Sequence, residues 1–299
     1  MVQQTEWKGR TGGGHIGQRS LFWFFRCVDV RVGYVILRVV VLFYMLFARK
    51  RCLAIYHYFR QRRHYACWKA WRKTYRNHYL FGQTVLDKFA IFSGQGRRYR
   101  VTVTGQEYFD RQQSVSRGCI IASSHIGNFE VVGYLMGPTP KPMNGIIFGG
   151  EAAVVQGFRT QTLGANQIHL IPVAEDMSHI YSIYAALDQG EIVCMPCDRV
   201  FSGNKQVEVE FLGAKAAFPS GAYYLAERFQ VDVLAFFVMK ESGLHYHVYI
   251  RPLQIDPALT RREERVRALT EAFVHEVTTM LDMYPEQWYN FYNFWTIHE

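Results

Sequence analysis

A histidine and a carboxylate five positions apart stand in the run Gly118-Cys-Ile-Ile-Ala-Ser-Ser-His125-Ile-Gly-Asn-Phe-Glu130. An imidazole beside a carboxylate is suited to general-base chemistry: the acid holds one ring nitrogen while the other takes a proton from an alcohol. The spacing says how the two would meet. Five residues of helix turn through roughly 500°, so His125 and Glu130 would not share a helix face. They come together if His125 ends the apolar strand Gly118–Ser123 and Glu130 lies in the first turn of the following helix. Asn128 is then the N-cap, Gly127 allows the tight turn, and an acid near the helix N-terminus is stabilised. There is no Gly-x-Ser-x-Gly nucleophile motif, so the chemistry that fits is direct attack by an activated substrate hydroxyl. The alternative is a buried hydrogen-bonded pair without chemistry.

Other reactive residue types carry weaker patterns. Cys194-Met-Pro-Cys197 is a CxxC, but Cys194 sits in an apolar stretch and no second CxxC or His pair lies at zinc spacing. The six scattered cysteines read as reduced thiols of a cytosolic compartment rather than a disulfide framework. His245 and His247 share one face of a strand and lack a third ligand. Gly149-Gly150 is either a plain turn or a source of oxyanion-facing amides.

The elements that must position these groups fall into two compositional regions. Of 34 Lys+Arg and 25 Asp+Glu in 299 residues, the first 100 hold 20 and 3, a net +17. The remaining 14 and 22 give −8, so the overall +9 is an N-terminal property. Such a segment suits an anionic lipid surface, an acidic protein or nucleic acid. Val32 to Ala48 is an apolar run near the lower length limit of a membrane span, with Arg38 inside it. A mid-span Arg costs roughly 2.5–3.5 kcal/mol on insertion scales. The run therefore reads as a short span, an interfacial helix or a buried core helix. Its basic flanks, continuing to Arg63, favour a cytoplasmic main body, and no small-residue cleavage site follows. Trp68, Trp71, Tyr75 and Tyr79 then recur at helical spacing among Lys69, Arg72, Lys73 and Arg76. That pattern fits a helix at headgroup level, and also nucleic acid or a solvated basic face.

From Arg98 onward, strand and helix patterns alternate, which implies an α/β sheet. Strands are expected at Arg98–Thr104, Gly118–Ser123, Ile146–Phe148, His169–Val173 and Ile192–Met195. A hairpin pairs Val231–Val238 with His245–Ile250. Helices are expected over Phe129–Met136, Ile180–Leu187 and Ser220–Phe229. A long one opens with the capping box Thr260-Arg-Arg-Glu263 and ends before Pro285.

These residues also carry a family resemblance. Ser-Ser-His125-Ile-Gly-Asn-Phe-Glu130 resembles the His-x4-Asp/Glu block of the lysophospholipid acyltransferase superfamily, nearest its lipid A biosynthesis (lauroyl/myristoyl) branch. Further blocks follow in that branch's order: Gly190-Glu-Ile-Val193 with Asp198-Arg199, Phe211-Leu-Gly-Ala-Lys-Ala216 with Pro219-Ser-Gly221, and Pro285-Glu-Gln-Trp288. The resemblance spans roughly Tyr99 to Trp295. The aromatic tail Trp288–Trp295 replaces the branch's usual basic ending. The opening Trp7–His15 is more similar to acyltransferases found beside aryl-polyene genes.

The resemblance implies an O-acyltransferase that moves a fatty or polyene acyl chain from an acyl-carrier-protein or CoA thioester to a hydroxyl of a lipid or glycolipid. No metal or redox cofactor is implied. His125 is expected as general base and Glu130 as its orienting partner. Asn128, Arg159, Asp198 and Arg199 are the expected substrate-binding residues; by its charge and position Arg159 is either set for an acceptor phosphate or for ordering Glu130, or is a surface arginine. Asp198 and Arg199 either shape the acceptor site or pair with one another. The fold expected is a mixed α/β sheet flanked by helices (residues 93–299), preceded by a membrane-associated helical arm (residues 1–92). The setting expected is the cytoplasmic face of a bacterial inner membrane. The expected partners are the lipid surface and acyl-carrier protein, and not nucleic acid. A thioesterase using the same pair is the alternative chemistry.

Overall fold

A computed structural model describes residues 14–135, 139–148, 167–173, 176, 178–200 and 205–295. From Arg100 the alternating pattern becomes a seven-stranded mixed sheet in the order β1-β9-β8-β2-β5-β3-β4. Its strands are β1 (Arg100–Thr104), β2 (Cys119–Ser123), β3 (Met143–Phe148), β4 (Ile168–Val173), β5 (Ile192–Pro196), β8 (Asp232–Lys240) and β9 (His245–Pro252). Strands β8, β2, β5, β3 and β4 run parallel; β9 turns back antiparallel on β8, and β1 lies parallel to β9 at the edge. Strands β6 (Gln206–Phe211) and β7 (Ala214–Pro219) form a separate antiparallel hairpin. Its turn residues Leu212 and Gly213 both have positive φ, as a two-residue hairpin loop requires.

The near-continuous apolar runs of β2 and β8 are explained by burial on both faces. Val233, Ala235, Phe237 and Met239 of β8 enter one core, and Leu234, Phe236 and Val238 enter the other. Helices α8 (Gly221–Phe229) and α9 (Arg262–Met283) cover the first face through Tyr223, Phe273, Val277 and Met280. The capping box expected at Thr260 is not made: Arg261 is the N-cap of α9, with no side-chain cap bond. The aromatic tail belongs to this same core. Trp288 is almost wholly buried against Phe211, Tyr58, Phe294 and Trp295.

Helices α1 (Gly14–Cys27), α2 (Val30–Phe47), α3 (Arg49–His57) and α4 (Cys67–Ala90) form the basic arm. Its residues share both cores of the sheet: Ile55, Phe59 and Ala70 enter one, and Phe25, Val30, Tyr34 and Phe89 the other. Gly33 and Gly82 let α2 pack closely. A Cβ on Gly82 would come within 2.7 Å of Leu37, and one on Gly33 within 3.0 Å of Phe25. Helix α2 is long and apolar enough to cross a membrane, with mean hydropathy 2.0. It buries only Val30, Gly33, Tyr34 and Val41. Val35, Ile36, Val39, Val40, Phe43 and Phe47 are exposed. The helix is therefore not a buried core helix.

Candidate active site

His125 and Asp198 are brought together by strand register. In the parallel pair β2–β5, Ser123 stands opposite Pro196. Each chain continues two residues beyond, so His125 and Asp198 emerge side by side at the carboxyl ends of adjacent central strands. That edge is where open α/β sheets generally place ligands. The zipper continues into the loops, with Cys197 N donating to Ser123 O at 2.8 Å.

Asp198 then takes hold of His125 with both oxygens. Oδ2 accepts from the His125 backbone N–H at 2.7 Å, and Oδ1 lies 2.8 Å from Nδ1. The carboxylate is 4 % exposed and the imidazole 27 %. Burial pushes the Asp198 carboxyl up, but the electrostatic attraction and two hydrogen bonds of the adjacent His125, with nearby Arg199, outweigh this and hold it below the ordinary carboxylate value. Asp198 thus stays ionised. An ionised acid on Nδ1 fixes the tautomer with Nδ1–H, leaving the Nε2 lone pair free.

The turn carrying His125 is held from two further sides. Gly127 N donates to Gln287 O at 2.8 Å, Asn128 N to Val238 O at 2.7 Å, and Tyr289 N to His125 O at 2.9 Å. Gly127 has φ +68°, and a Cβ there would come within 2.1 Å of Val238 O. Only glycine fits this position. The tail Pro285–Tyr289 is therefore part of the site's frame.

The expected roles of several residues change on this geometry. The carboxylate on the His125 ring is Asp198, not Glu130. Glu130 does open the next helix, α6 (Phe129–Leu135). Its carboxylate lies 2.9 Å from Lys88 Nζ and accepts from Tyr134 OH at 3.0 Å. The His-x4-Glu spacing places the acid one turn on from His125, where a lysine of the arm reaches it. Asn128 does not cap α6 with its side chain; Nδ2 donates to Tyr246 OH at 3.2 Å. Asp198 and Arg199 are not paired with one another. Arg199 Nη2 donates to Tyr289 O at 3.1 Å, with its guanidinium 5.8 Å from the Tyr292 ring. Arg159 and Gly149-Gly150 lie outside the described residues.

A buried polar cluster behind the turn had no signature in the motif. Asp87 of α4 accepts from Tyr99 OH at 2.8 Å, from Tyr34 and Tyr246, and from the Lys240 ammonium. Both Asp87 and Lys240 are almost wholly buried. Burial pushes Lys240 down, against the pull of Asp87. Tyr246 is also the partner of Asn128, and Gln287 bonds both backbone groups of Lys240. Adjacent residues of α4 therefore serve the turn: Asp87 reaches Asn128 through Tyr246, and Lys88 reaches Glu130. The available clue was compositional, since Asp87 is one of three acids in a basic arm.

The CxxC and the two strand histidines have structural surroundings. Burial pushes the Cys194 thiol up to about 12, and Cys197 higher still, so the CxxC thiols stay protonated. His245 and His247 pair across the β1–β9 ladder with Thr102 and Thr104, at 2.9 and 2.8 Å. Among the described residues no group of three or more His, Cys, Asp or Glu side chains could hold a metal.

A His–Asp pair of this kind on an α/β scaffold is common to many folds. No curated protein matches the chain. Among solved structures, a crystal structure of the 1-acyl-sn-glycerophosphate (LPA) acyltransferase PlsC from Thermotoga maritima is similar at 17 % identity and TM-score 0.39, over 89 % of this chain and 97 % of that one. The sequence profile of the bacterial lipid A biosynthesis acyltransferases matches residues 78–296, which takes in the His125 turn, Asp198, the β6–β7 hairpin and the aromatic tail. The chain thus belongs to the bacterial lipid A biosynthesis acyltransferase family, and it is an acyltransferase.

Proposed function

We propose that the protein transfers an acyl chain from an acyl-carrier-protein or CoA thioester to a hydroxyl of a lipid or glycolipid at a membrane surface. The observation that carries this is the His125–Asp198 pair, with Nδ1 engaged by an ionised carboxylate and the base partly exposed at the carboxyl edge of the sheet. Nε2 accepts the proton of the acceptor hydroxyl as its oxygen attacks the thioester carbonyl. The tetrahedral intermediate collapses with cleavage of the C–S bond, and His125 returns the proton to the departing thiolate. Asp198 stabilises the transient imidazolium. Glu130, held by Lys88 and Tyr134, positions α6 behind the His125 turn. The reaction so written balances without a metal or redox cofactor.

The exposed apolar face of α2 and the basic residues after it support a membrane setting, with the inner membrane's cytoplasmic face as the assignment that the positive flanks favour. The basic arm also suits recruitment of an acidic carrier protein, since complementary charge mainly raises association rate.

The test uses membranes containing the full chain, a labelled acyl-carrier-protein thioester or acyl-CoA, and total lipid extract. Wild type is expected to make a labelled lipid that His125→Ala does not, and the mass of that lipid names the acceptor. Label released only as free fatty acid would replace the transferase reading with a thioesterase.

A further inference from the structure

A groove of about 670 Å³ lies between α2 and α4, lined by Arg38 from the first helix and by Arg72, Lys73 and Arg76 from the second. Tyr75, Tyr79 and Glu286 complete the lining. The tyrosines are spoken for: Tyr75 OH donates to Arg38 O at 3.0 Å and Tyr79 OH to Tyr34 O at 3.2 Å, with the two rings stacked 6.3 Å apart. They make a wall that also ties α4 to α2. Glu286 takes two of the cations, pairing with Lys73 and lying 3.5 Å from Arg76. Among the described residues Arg38 and Arg72 have no carboxylate partner, and both are exposed.

Four cations against one acid leave a local excess of positive charge in the concavity. Arg72 and Arg76 are also a like-charged i,i+4 pair, which by itself destabilises a helix. A ligand bearing negative charge removes that cost. Guanidinium forks match phosphate oxygens in geometry and charge. The groove's position supplies the source. Arg38 sits at the seam between α4 and the exposed apolar face of Val35, Ile36, Val39 and Val40. An anion delivered there comes with the surface that covers that face.

We propose that this groove binds the phosphate of an anionic lipid headgroup, at a site separate from the acyl-transfer centre. The proposal rests on the reading that α2 contacts lipid. Because Glu286 adjoins Gln287, whose carbonyl holds the Gly127 N–H, the occupied groove lies one residue from the frame of the catalytic turn.

Flotation of the full-length protein with vesicles tests it, using phosphatidylcholine alone or mixed with phosphatidylglycerol. Wild type should bind both and prefer the anionic vesicles. Arg38→Gln/Arg72→Gln should lose about 5- to 30-fold of that preference while keeping its binding to phosphatidylcholine. The control Arg49→Gln/Lys50→Gln, which removes the same charge from outside the groove, should lose much less. Equal losses in the two double variants would reduce the groove to general surface charge and overturn the site. Binding to phosphatidylcholine with no anionic preference would overturn the site but leave the membrane reading standing. Failure to bind either vesicle would overturn both. Displacement from anionic vesicles by inorganic phosphate at constant ionic strength would reassign the groove to a free anion. A single-stranded oligonucleotide whose binding fell in the groove variant, without any vesicle preference, would reassign it to nucleic acid.

Discussion

Asp198 binds the same residue through two different atoms, its Oδ2 on the His125 backbone N–H and its Oδ1 near the ring. The first bond fixes where the turn sits, and the second fixes how the ring is rotated and which nitrogen carries the proton. One carboxylate thereby couples backbone placement to protonation state. Asp198→Asn keeps the shape but loses the charge and leaves the ring tautomer unspecified. It should lower kcat by about 10²–10⁴-fold with KM little changed. Glu130→Gln should cost much less, because its partners are Lys88 and Tyr134. Steady-state kinetics of the two variants side by side decides the roles; a kcat loss for Glu130→Gln equal to that of His125→Ala would move Glu130 into the chemistry.

The direction of the Asp198 shift gives a stability signature. Its folded-state value is lowered, so the stabilisation is fully present above the ordinary carboxylate value of about 3.9 and is lost as pH falls through the lower folded value. The unfolding free-energy difference between wild type and Asp198→Asn should therefore stay flat from neutrality to about pH 4 and shrink below it. A difference already vanishing at pH 6 would contradict the ionised assignment.

Gly127→Ala puts a methyl group against the Val238 carbonyl and demands a positive φ from alanine. A cost of more than about 1–3 kcal/mol is expected. Because Asn128 N and Gly127 N both lose their acceptors if the turn moves, activity should fall further than stability accounts for. Thermal unfolding together with kcat at a temperature where the variant is folded separates the two.

Lys240→Met leaves Asp87 buried with its charge uncompensated, at a cost of about 3–5 kcal/mol. The double variant Asp87→Leu/Lys240→Met should recover part of that loss, with a coupling of about 1 kcal/mol or more in a double-mutant cycle of chemical denaturation. Additive losses would show that the pair does not act as a unit.

The sheet was legible where pattern alone decides it. Ile192–Met195, Val231–Val238 and His245–Ile250 are apolar or alternating runs with few competing readings, and they appear as β5, β8 and β9 within a residue or two. Helix α2 was legible for the same reason. The place of His125 was legible too, because a histidine after a buried strand has a defined position in an α/β fold. Its partner was not. Pairing His125 with Asp198 depends on β5 lying beside β2 in a register that puts Pro196 opposite Ser123, which no local spacing encodes. The nearer acid, Glu130, was the local choice, and it is held by a lysine more than a helix away in sequence. The Asp87–Lys240–Tyr246 cluster was hidden because each member looks ordinary alone; only the fold shows that they share one dry volume. The capping box at Thr260 failed as a local motif, since Arg261 takes the cap position.

The bond from Tyr289 N to His125 O has a consequence for timing. A chain emerging from the ribosome delivers its apolar arm first and its histidine well before Pro285–Tyr289. Until that segment is out of the exit tunnel, the turn lacks the Gly127 and His125 backbone bonds that hold the base. Synthesis proceeds at about 5–20 residues per second, so the arm emerges roughly 10–40 seconds before the site can be assembled. On the proposed membrane setting, the nascent chain meets its surface before the His125 turn is fixed.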